Sequence, residues 1–304
     1  MISQAVREAL QRFIPEDNIL YNEPLKKHTT FRVGGEADCM IRIESGEQLS
    51  PLLHYLSQVE IPYFVIGNGS NLLVGDKGYR GIILQLSDKM NTIRVDGNRI
   101  YAKAGAFLSQ AARTACEYGL TGLEFAAGIP GTIGGGIVMN AGAYDGEMKQ
   151  VVEYVTVLDK EGNKLVLDNE TMEFGYRTSA IKNHSFIVLE CCFLLKPGEK
   201  KDITAKMEDF QGRRKEKQPL EYASAGSTFK RPEGRFAGKL IMDAGLKGFQ
   251  IGGAQVSEKH CGFIINTGTA SAADIRQLIA YVQEEVDRQF FVRLEPEVIF
   301  LGEF

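Results

Sequence analysis

The chain has 304 residues, which is long enough for two or three compact units with separate cores. Its 35 basic and 39 acidic residues give a formal net charge of −4, whereas nucleic-acid-binding proteins normally carry a basic surplus. No apolar run approaches the roughly 20 residues of a membrane span, and the first residues lack the uninterrupted apolar stretch of a signal peptide. We therefore expect a cytoplasmic protein that binds neither nucleic acid nor membranes.

The first part of the chain contains a strand that leads directly into a polar loop. Ser45 and Gln48 predict a capping box that opens a helix. After it, an apolar strand over residues 62–66 runs into Gly67-Asn68-Gly69-Ser70-Asn71, which offers amide and hydroxyl donors. Such a loop favours a phosphate site, although a plain turn between two strands has the same composition.

The stretch from Gly119 to Gly146 is unusual because nine of its 28 residues are glycine. Glycine destabilises regular elements, so this density needs a local reason. One reason is backbone that runs close to a ligand and turns its amide groups towards it, and the alternative is a set of tight turns where strands cross. The part from Gly128 to Gly136 is uncharged, so its donors come mainly from the main chain, which suits the pyrophosphate or ring edge of a dinucleotide.

Two common nucleotide-binding motifs are absent from the sequence. No segment matches the GxxxxGK[ST] pattern of a P-loop. Gly67 and Gly69 begin a GxGxxG pattern, but Leu72 stands in place of its third glycine. A Rossmann domain is therefore not expected.

Strands and short helices follow one another without a regular βαβ order, which predicts an α+β fold. Hairpins are expected at Asp96-Gly97-Asn98 and Glu161-Gly162-Asn163, and a helix start at Asn169-Glu170. The five cysteines, odd in number and without a CxxC pair, are expected to be reduced and buried. No pair of histidines has metal-ligand spacing, so we expect no metal.

The composition changes near Pro197, where a strongly charged helix over residues 199–217 is predicted. An amphipathic helix is predicted over residues 271–290, and the chain then shows a strand pattern from Val292 to Gly302. We expect three domains: residues 1–88, 89–197 and 198–304.

The segments GNGSNLL, GIPGTIGG and NAGAY together resemble the flavin domain of the UDP-N-acetylenolpyruvoylglucosamine reductase family. The resemblance implies a two-lobed FAD-binding region of the vanillyl-alcohol-oxidase (PCMH-like) fold, followed by an α+β substrate-binding domain. It also implies non-covalent FAD, NADPH as hydride donor, and reduction of UDP-N-acetylglucosamine enolpyruvate to UDP-N-acetylmuramate for peptidoglycan synthesis. The cofactor-binding residues that it implies are Gly67, Asn68, Gly69, Ser70, Asn71, Gly128, Ile129, Gly131, Thr132, Gly135, Asn140 and Gly142.

Three positions are expected to carry the catalytic chemistry. Arg177 follows Gly175-Tyr176 and could clamp a carboxylate, although local sequence alone favours a surface salt bridge. Ser227 could be presented on a bare loop, and nothing near it suggests a serine hydrolase. The family resemblance makes Arg177 the stabiliser of the enolic intermediate and Ser227 its proton donor. It selects Glu297, rather than Glu295, through the spacing to Gly302.

The nucleotide-sugar substrate requires basic and polar contacts, although many such side chains are only solvated surface. The resemblance implies substrate contacts from Tyr176, Arg213, Lys217, Lys247 and His260. Longer family members carry an inserted lid loop with a substrate-binding tyrosine. This sequence lacks the insertion and resembles the shorter type, with Tyr176 and a substrate-domain arginine as possible replacements. A monomer is expected. The alternative functions are a flavin oxidase or dehydrogenase of the same fold, and a non-catalytic nucleotide-sugar binding protein.

Overall fold

The computed structural model describes residues 2–86 and 89–304 of the chain. Two compact units are formed from discontinuous segments. Unit 1 comprises residues 1–21, 39–68 and 81–213, and unit 2 comprises residues 22–38, 69–80 and 214–304. The predicted boundary at residue 88 lies outside the described residues, and the division into three domains stays a prediction.

The described residues contain helices and strands in mixed order. The α-helices are α1 (Gln4–Leu10), α2 (Gly46–Gln58), α3 (Leu108–Glu117), α4 (Ile133–Val138), α5 (Ala180–His184), α6 (Lys200–Lys217), α7 (Ala237–Asp243) and α8 (Ala272–Phe290). Short 3-10 helices cover Glu16–Asn18, Leu25–His28, Glu124–Gly128 and Met148–Gln150. The strands are β1 (Ile19–Pro24), β2 (Glu36–Ile43), β3 (Tyr63–Ile66), β4 (Leu72–Val74), β5 (Tyr79–Leu86), β6 (Ile93–Asp96), β7 (Arg99–Lys103), β8 (Leu120–Thr121), β9 (Gly142–Ala143), β10 (Gly146–Glu147), β11 (Val152–Leu158), β12 (Lys164–Asp168), β13 (Ile187–Leu194), β14 (Lys196–Pro197), β15 (Gln250–Ile251), β16 (Ala254–Val256), β17 (Ile264–Asn266) and β18 (Ile299–Leu301).

Unit 1 contains an antiparallel five-stranded sheet in the order β12-β11-β13-β7-β6. Strand β3 pairs in parallel with β5, within a sheet ordered β1-β2-β5-β3. The apolar faces of the five-stranded sheet and of helices α2 and α3 share one hydrophobic core. This core supports the loops that follow β3 and precede α4.

Unit 2 has its own hydrophobic core, built around α8. One face of α8 buries Ile275, Leu278, Ile279, Val282 and Val286, as its sequence periodicity predicts. Strands β15, β16 and β17 form a small antiparallel sheet, and β18 pairs in parallel with β4. Leu73 of β4 belongs to the core of unit 2, although it precedes most of that core by more than a hundred positions in sequence.

Local signals in the sequence predicted several elements correctly. Both hairpins form, with strands β6–β7 and β11–β12. Ser271 caps α8 with a full capping box, whereas at α2 the Gln48 side chain accepts from the N–H of Glu44 instead of Ser45. All five cysteines are reduced and buried, as expected.

Two predicted elements are wrong. The strand expected from Val292 to Gly302 is reduced to β18, because residues 292–298 bond to remote segments of unit 2 instead of forming a continuous ladder. Asn169-Glu170 does not start a helix. The Asp168 carboxylate accepts the N–H of Thr171 at 2.8 Å and closes a turn there.

Candidate functional site

In unit 1, the loop after β3 is joined to the loop before α4. A Cβ atom at Gly67 would overlap the hydroxyl of Thr132, so only glycine allows this approach. Thr132 is buried and caps α4 by accepting the N–H of Gly135 at 3.3 Å. The Asn68 amide donates to the carbonyl of Pro130 at 2.7 Å. The structure thus brings the predicted cofactor residues on both loops together.

The glycines of α4 have different roles. Gly134 packs against Ala104, and Gly136 packs against Leu108, with hypothetical Cβ contacts of 3.1–3.2 Å. Gly135 is exposed, and its Cβ would meet only the Thr132 hydroxyl at 3.6 Å. Close packing of elements therefore explains Gly134 and Gly136, whereas Gly135 leaves room for a ligand.

The loop that leads into α4 is fixed by its own backbone bonds. Gly128 ends a 3-10 helix, and the N–H of Ile129 donates to Ala126 at 3.1 Å. The carbonyl of Gly131 accepts from Leu108 at 3.0 Å. These predicted cofactor residues therefore lie on a rigid segment of unit 1.

Protein packing explains two of the predicted cofactor residues. A Cβ at Gly142 would lie 2.7 Å from the carbonyl oxygen of Gly146, so the tight β9–β10 hairpin requires glycine there. The side chain of Asn140 is buried and bonds only to protein groups that are named below. Neither residue needs a ligand to explain its identity.

Tyr176 and Arg177 lie at the tip of a four-residue turn in unit 1. Gly175 and Thr178 exchange backbone hydrogen bonds of 3.1 and 3.3 Å, which hold the turn closed. Arg177 has a left-handed backbone with φ of 57°, and its guanidinium lies 5.2 Å from the centre of the Tyr176 ring. The arginine is half-buried and the tyrosine is exposed, so both can reach a ligand.

In unit 2, the segment Gly69-Ser70-Asn71 approaches the backbone around His28. A Cβ at Gly69 would overlap the His28 carbonyl, and Gly69 has φ of 60°, which disfavours any side chain. The N–H of Thr30 donates to Gly69 at 3.3 Å. The Thr30 hydroxyl is buried without a partner among the residues that the structure describes. An orphaned hydroxyl beside a close backbone approach is consistent with a bound polar cofactor.

The segments carrying Ser227 and Glu297 are paired in unit 2. The N–H of Glu297 donates to the carbonyl of Thr228 at 2.8 Å, and Phe229 forms a β-bridge with Pro296. Thr228 is fully buried, and its hydroxyl accepts the N–H of Ile264 at 3.0 Å. Two predicted catalytic residues are therefore held by one hydrogen-bonded framework.

Ser227 is exposed at the start of this framework. It follows Gly226, whose φ is 76° and whose hypothetical Cβ meets nothing within 4 Å. An open glycine on one side and a buried threonine on the other present the serine hydroxyl to solvent.

The Asn71 side chain supports Glu297. Its side-chain amide donates to the carbonyl of Glu297 at 3.1 Å, and the backbone carbonyl of Asn71 accepts the N–H of Ile299 at 2.9 Å. The sequence did not reveal this role, because the two residues are 226 positions apart. Asn71 thus holds a predicted catalytic residue in addition to lying on a predicted cofactor loop.

Among the predicted substrate residues, Arg213 differs from the others. It lies in unit 1 and pairs with Asp209 one helical turn away, at 2.7 Å, so a solvated helix surface accounts for it. Lys217 ends α6, Lys247 follows α7, and both are exposed in unit 2. They are placed to bind an anion from solution.

His260 is held in one orientation in unit 2. Its Nδ1 accepts the N–H of Gly262 at 3.1 Å, so the neutral ring carries its proton on Nε2. Burial lowers the pKa of His260, which favours this neutral form. Cβ atoms at Gly238 and Gly262 would lie 3.3 and 2.9 Å from the ring, so both glycines make room for it. His260 can therefore donate a hydrogen bond but carries little charge near neutral pH.

In residues 2–86 and 89–304, no group of three or more histidine, cysteine or acidic side chains could hold a metal ion. In the same residues, no helix combines the length and apolar character that a membrane crossing requires.

Comparison with known proteins identifies the class of this chain. Residues 37–168 match the FAD binding domain family, and residues 218–301 match the C-terminal domain of UDP-N-acetylenolpyruvoylglucosamine reductase. The reductase of that name from Caldanaerobacter subterraneus subsp. tengcongensis is 52% identical over 302 residues, which cover 99% of this chain and 100% of the relative. The one from Clostridioides difficile is 48% identical, with 100% of both chains covered.

Solved structures agree with these matches. The crystal structure of UDP-N-acetylenolpyruvylglucosamine reductase from Thermus caldophilus has a TM-score of 0.80 at 37% identity and covers 93% of this chain and 98% of its own. The site and these similarities define a flavin-dependent oxidoreductase. The chain belongs to the UDP-N-acetylenolpyruvoylglucosamine reductase family.

A more distant likeness concerns the fold alone. Phl p 4.0202, a glucose dehydrogenase, has a TM-score of 0.52 at 15% identity, covering 65% of this chain and 45% of its own. Together with the FAD binding domain match, this likeness confirms the predicted α+β, PCMH-like flavin fold.

Proposed function

We propose that this chain reduces the enolpyruvyl group of UDP-N-acetylglucosamine enolpyruvate to the lactyl ether, with NADPH as the hydride source. The observation that carries the assignment of residues is the pairing of the Ser227 and Glu297 segments through the Thr228 carbonyl, in a chain of this family. When bound, FAD accepts hydride from NADPH and supplies hydride to C3 of the substrate.

The chain's own residues must manage the charge that hydride addition creates. Addition of hydride at C3 leaves an electron pair on C2, which is delocalised into the neighbouring carboxylate. We assign Arg177 to this carboxylate, because a guanidinium matches carboxylate geometry with two hydrogen bonds. The left-handed turn presents the arginine side chain beyond the Gly175–Thr178 backbone bonds.

We assign Ser227 as the group that protonates C2 and so completes the reduction. Its hydroxyl is exposed next to an open glycine, so it can donate its proton to the C2 carbanion. A proton donor held in a fixed position is more effective than a water molecule, which approaches the carbanion in random orientations. Glu297 is assigned to orient the reacting centre, because its backbone is fixed by Thr228 on one side and Asn71 on the other.

We also assign the residues that hold the two ligands. For FAD we propose the loops at residues 67–71 and 128–135, where glycine allows close backbone approach. For the diphosphate we propose Lys217 and Lys247, and for a neutral polar contact His260. Exposed lysines bind phosphate mainly by charge, so the KM for the nucleotide sugar should rise with ionic strength.

The proposal is tested by separating the two half-reactions in Ser227→Ala. Flavin reduction by NADPH should proceed at the wild-type rate, because Ser227 has no role in it. Reoxidation by the enolpyruvyl nucleotide should slow by about 10²–10⁴-fold, the usual contribution of a positioned general acid. Stopped-flow absorbance of the flavin measures both steps.

Ser224→Ala is the matched control, since Ser224 lies three residues earlier on the same segment and is half-buried. It should change neither half-reaction. Equal slowing of both half-reactions in Ser227→Ala would contradict the assignment and indicate a structural role.

A further inference from the structure

Asn140 uses its whole side chain to connect three segments of unit 1. Its Nδ2 donates to Oε2 of Glu147 at 3.0 Å and to the carbonyl of Gly175 at 3.1 Å. Its Oδ1 accepts the N–H of Lys149 at 2.9 Å. The residue is 2% exposed, so both amide hydrogens and the oxygen are committed to protein partners. The side chain therefore has no donor left for FAD.

The backbone at Asn140 also suits this residue type. Asn140 follows the last residues of α4 and has φ of 41°, a left-handed conformation that asparagine tolerates better than most side chains. In this conformation the Asn140 amide reaches Gly175, the first residue of the turn that carries Arg177.

A side-chain hydrogen bond anchors that turn at each of its ends. Asn140 holds the carbonyl of Gly175, the first residue of the turn. Ser179, which is completely buried, follows the last residue and donates its hydroxyl to the carbonyl of Val138 at 3.0 Å. Both hydrogen bonds lead to residues 138–140, at the end of the glycine-rich helix α4. Arg177 lies between these two anchored ends and adopts a left-handed backbone.

We infer that Asn140 is a positioning residue, which orients Arg177 for the substrate carboxylate by holding the Gly175 carbonyl against the end of α4. The inference rests on the proposed function of Arg177. It assigns to Asn140 a role in the substrate half-reaction, although its sequence context indicates cofactor binding. A shift of about 1 Å in a positioning element can lower the rate about 10²-fold, so loss of the Asn140–Gly175 hydrogen bond should slow the reaction measurably.

Asn140→Asp is the sharpest test, because it keeps the shape, the left-handed backbone and the acceptor for Lys149. It removes both amide donors and places a second carboxyl beside Glu147, the titratable group in contact with this side chain. In the FAD-loaded protein at pH 8, flavin reduction by NADPH should be unchanged. Reoxidation by the enolpyruvyl nucleotide should slow by about 10²-fold.

The same variant should regain activity as the pH falls. Two adjacent carboxyls share a proton at a raised pKa, and that proton restores one donor at this position. The pH profile of the variant, divided by that of the wild type, should therefore rise towards acidic pH. A purely destabilising substitution would show no such recovery. Ser179→Ala removes the hydrogen bond to the Val138 carbonyl and should also slow reoxidation without loss of FAD.

Asn169→Ala is the matched control. Its amide likewise donates to two backbone carbonyls, of Lys149 at 2.8 Å and Val152 at 2.7 Å, but it does not contact the turn. It should leave both half-reactions unchanged. Wild-type reoxidation in both Asn140→Asp and Ser179→Ala would overturn the inference, as would weakened FAD binding with normal reoxidation in Asn140→Asp.

Arg177→Ala, measured in the same assay, separates the positioning role of Asn140 from the role of Arg177 itself. If Arg177→Ala slows reoxidation and the variants of Asn140 and Ser179 do not, the positioning role alone is wrong. If Arg177→Ala reoxidises normally, the role proposed for Arg177 is wrong, and with it the reason for positioning it.

Discussion

Glu295 and Glu297 have different surroundings although only one residue separates them. The carboxylate of Glu295 pairs with Lys230 at 3.0 Å, and its side chain is 70% exposed. Glu297 is half-buried, and both its N–H and its carbonyl are held by other segments of unit 2. Because residues 292–298 do not form a regular strand, alternation along a strand does not make the two glutamates equivalent.

We expect Glu297→Gln to impair reoxidation of the flavin by the enolpyruvyl nucleotide by about 10²-fold, the cost of losing one preorganised group at a reacting centre. Folding and FAD content should remain near normal. Glu295→Gln should change the rate little, because an exposed ion pair contributes only about 0–1 kcal/mol. Stopped-flow rates of the two variants decide the question. The opposite order of effects would assign the role to Glu295.

The residues that the sequence could not reveal are those whose partners are distant in the chain. Asn71 meets Glu297, and Asn140 meets Gly175, through contacts over 226 and 35 positions. Both asparagines lie in glycine-rich loops, where composition indicates ligand contact just as well as a structural bond. Arg177, Ser227 and Glu297 were selected by resemblance to a family pattern, since their local sequence allows ordinary surface roles.

At the level of single elements, α4 has glycines on a packed face and on an exposed face. Gly134 and Gly136 allow contact with Ala104 and Leu108, and Gly135 lies on the exposed face. A methyl group at Gly135 would contact no protein atom closer than 3.6 Å. The exposed face is therefore open to a ligand, and a small substitution there can probe it.

Gly135→Ala should raise the free energy of unfolding of the apoprotein by about 0.5–1 kcal/mol, because alanine replaces glycine inside a helix. It should also weaken FAD binding if the cofactor covers this face. Urea unfolding of the apoprotein and fluorescence titration with FAD measure the two effects.

Gly212→Ala provides the comparison, since Gly212 is exposed within α6 and its Cβ would meet nothing within 4 Å. It should give a similar gain in stability and leave FAD affinity unchanged. Equal FAD affinity in both variants would show that the exposed face of α4 does not bind the cofactor.

Elements were predictable where their signals are local. Helix α8 carries its cap and its apolar face within its own residues, and the hairpins carry their turn residues. The segment 292–298 alternates apolar and polar residues, but its bonds go to Thr228 and Asn71, which override that pattern. Asn169 starts no helix because the Asp168 side chain competes for the free N–H groups.

On the scale of the whole molecule, unit 2 joins three segments that are far apart in sequence. Asp76 is one of the connections, since its carboxylate accepts the N–H groups of Ala272 and Ala273 at 2.8 and 2.9 Å. With Ser271 accepting from Asp274, the first three N–H groups of α8 all have partners.

Asp76→Ala should lower the free energy of unfolding by about 0.5–2 kcal/mol, as the loss of a helix cap does. Asp243→Ala is the control, because its carboxylate forms an exposed ion pair with Lys239 within a single helix. The control should change stability by no more than about 0.5 kcal/mol. Urea denaturation measures both variants, and equal stability would show that Asp76 does not stabilise α8.

The parallel pairing of β18 with β4 also has a consequence during translation. Leu72, Leu73 and Val74 find their strand partners in Leu301 and its two predecessors, so this pairing cannot form until the ribosome has made nearly the whole chain. Until then, Leu73 and Phe31, which are fully buried in the finished core, are exposed on the nascent polypeptide. Long-range contacts of this kind form slowly, and until they form, aggregation-prone apolar surface stays exposed. Unit 2 should therefore mature late, and chaperones that recognise apolar segments should engage the newly made residues 22–38 and 69–80.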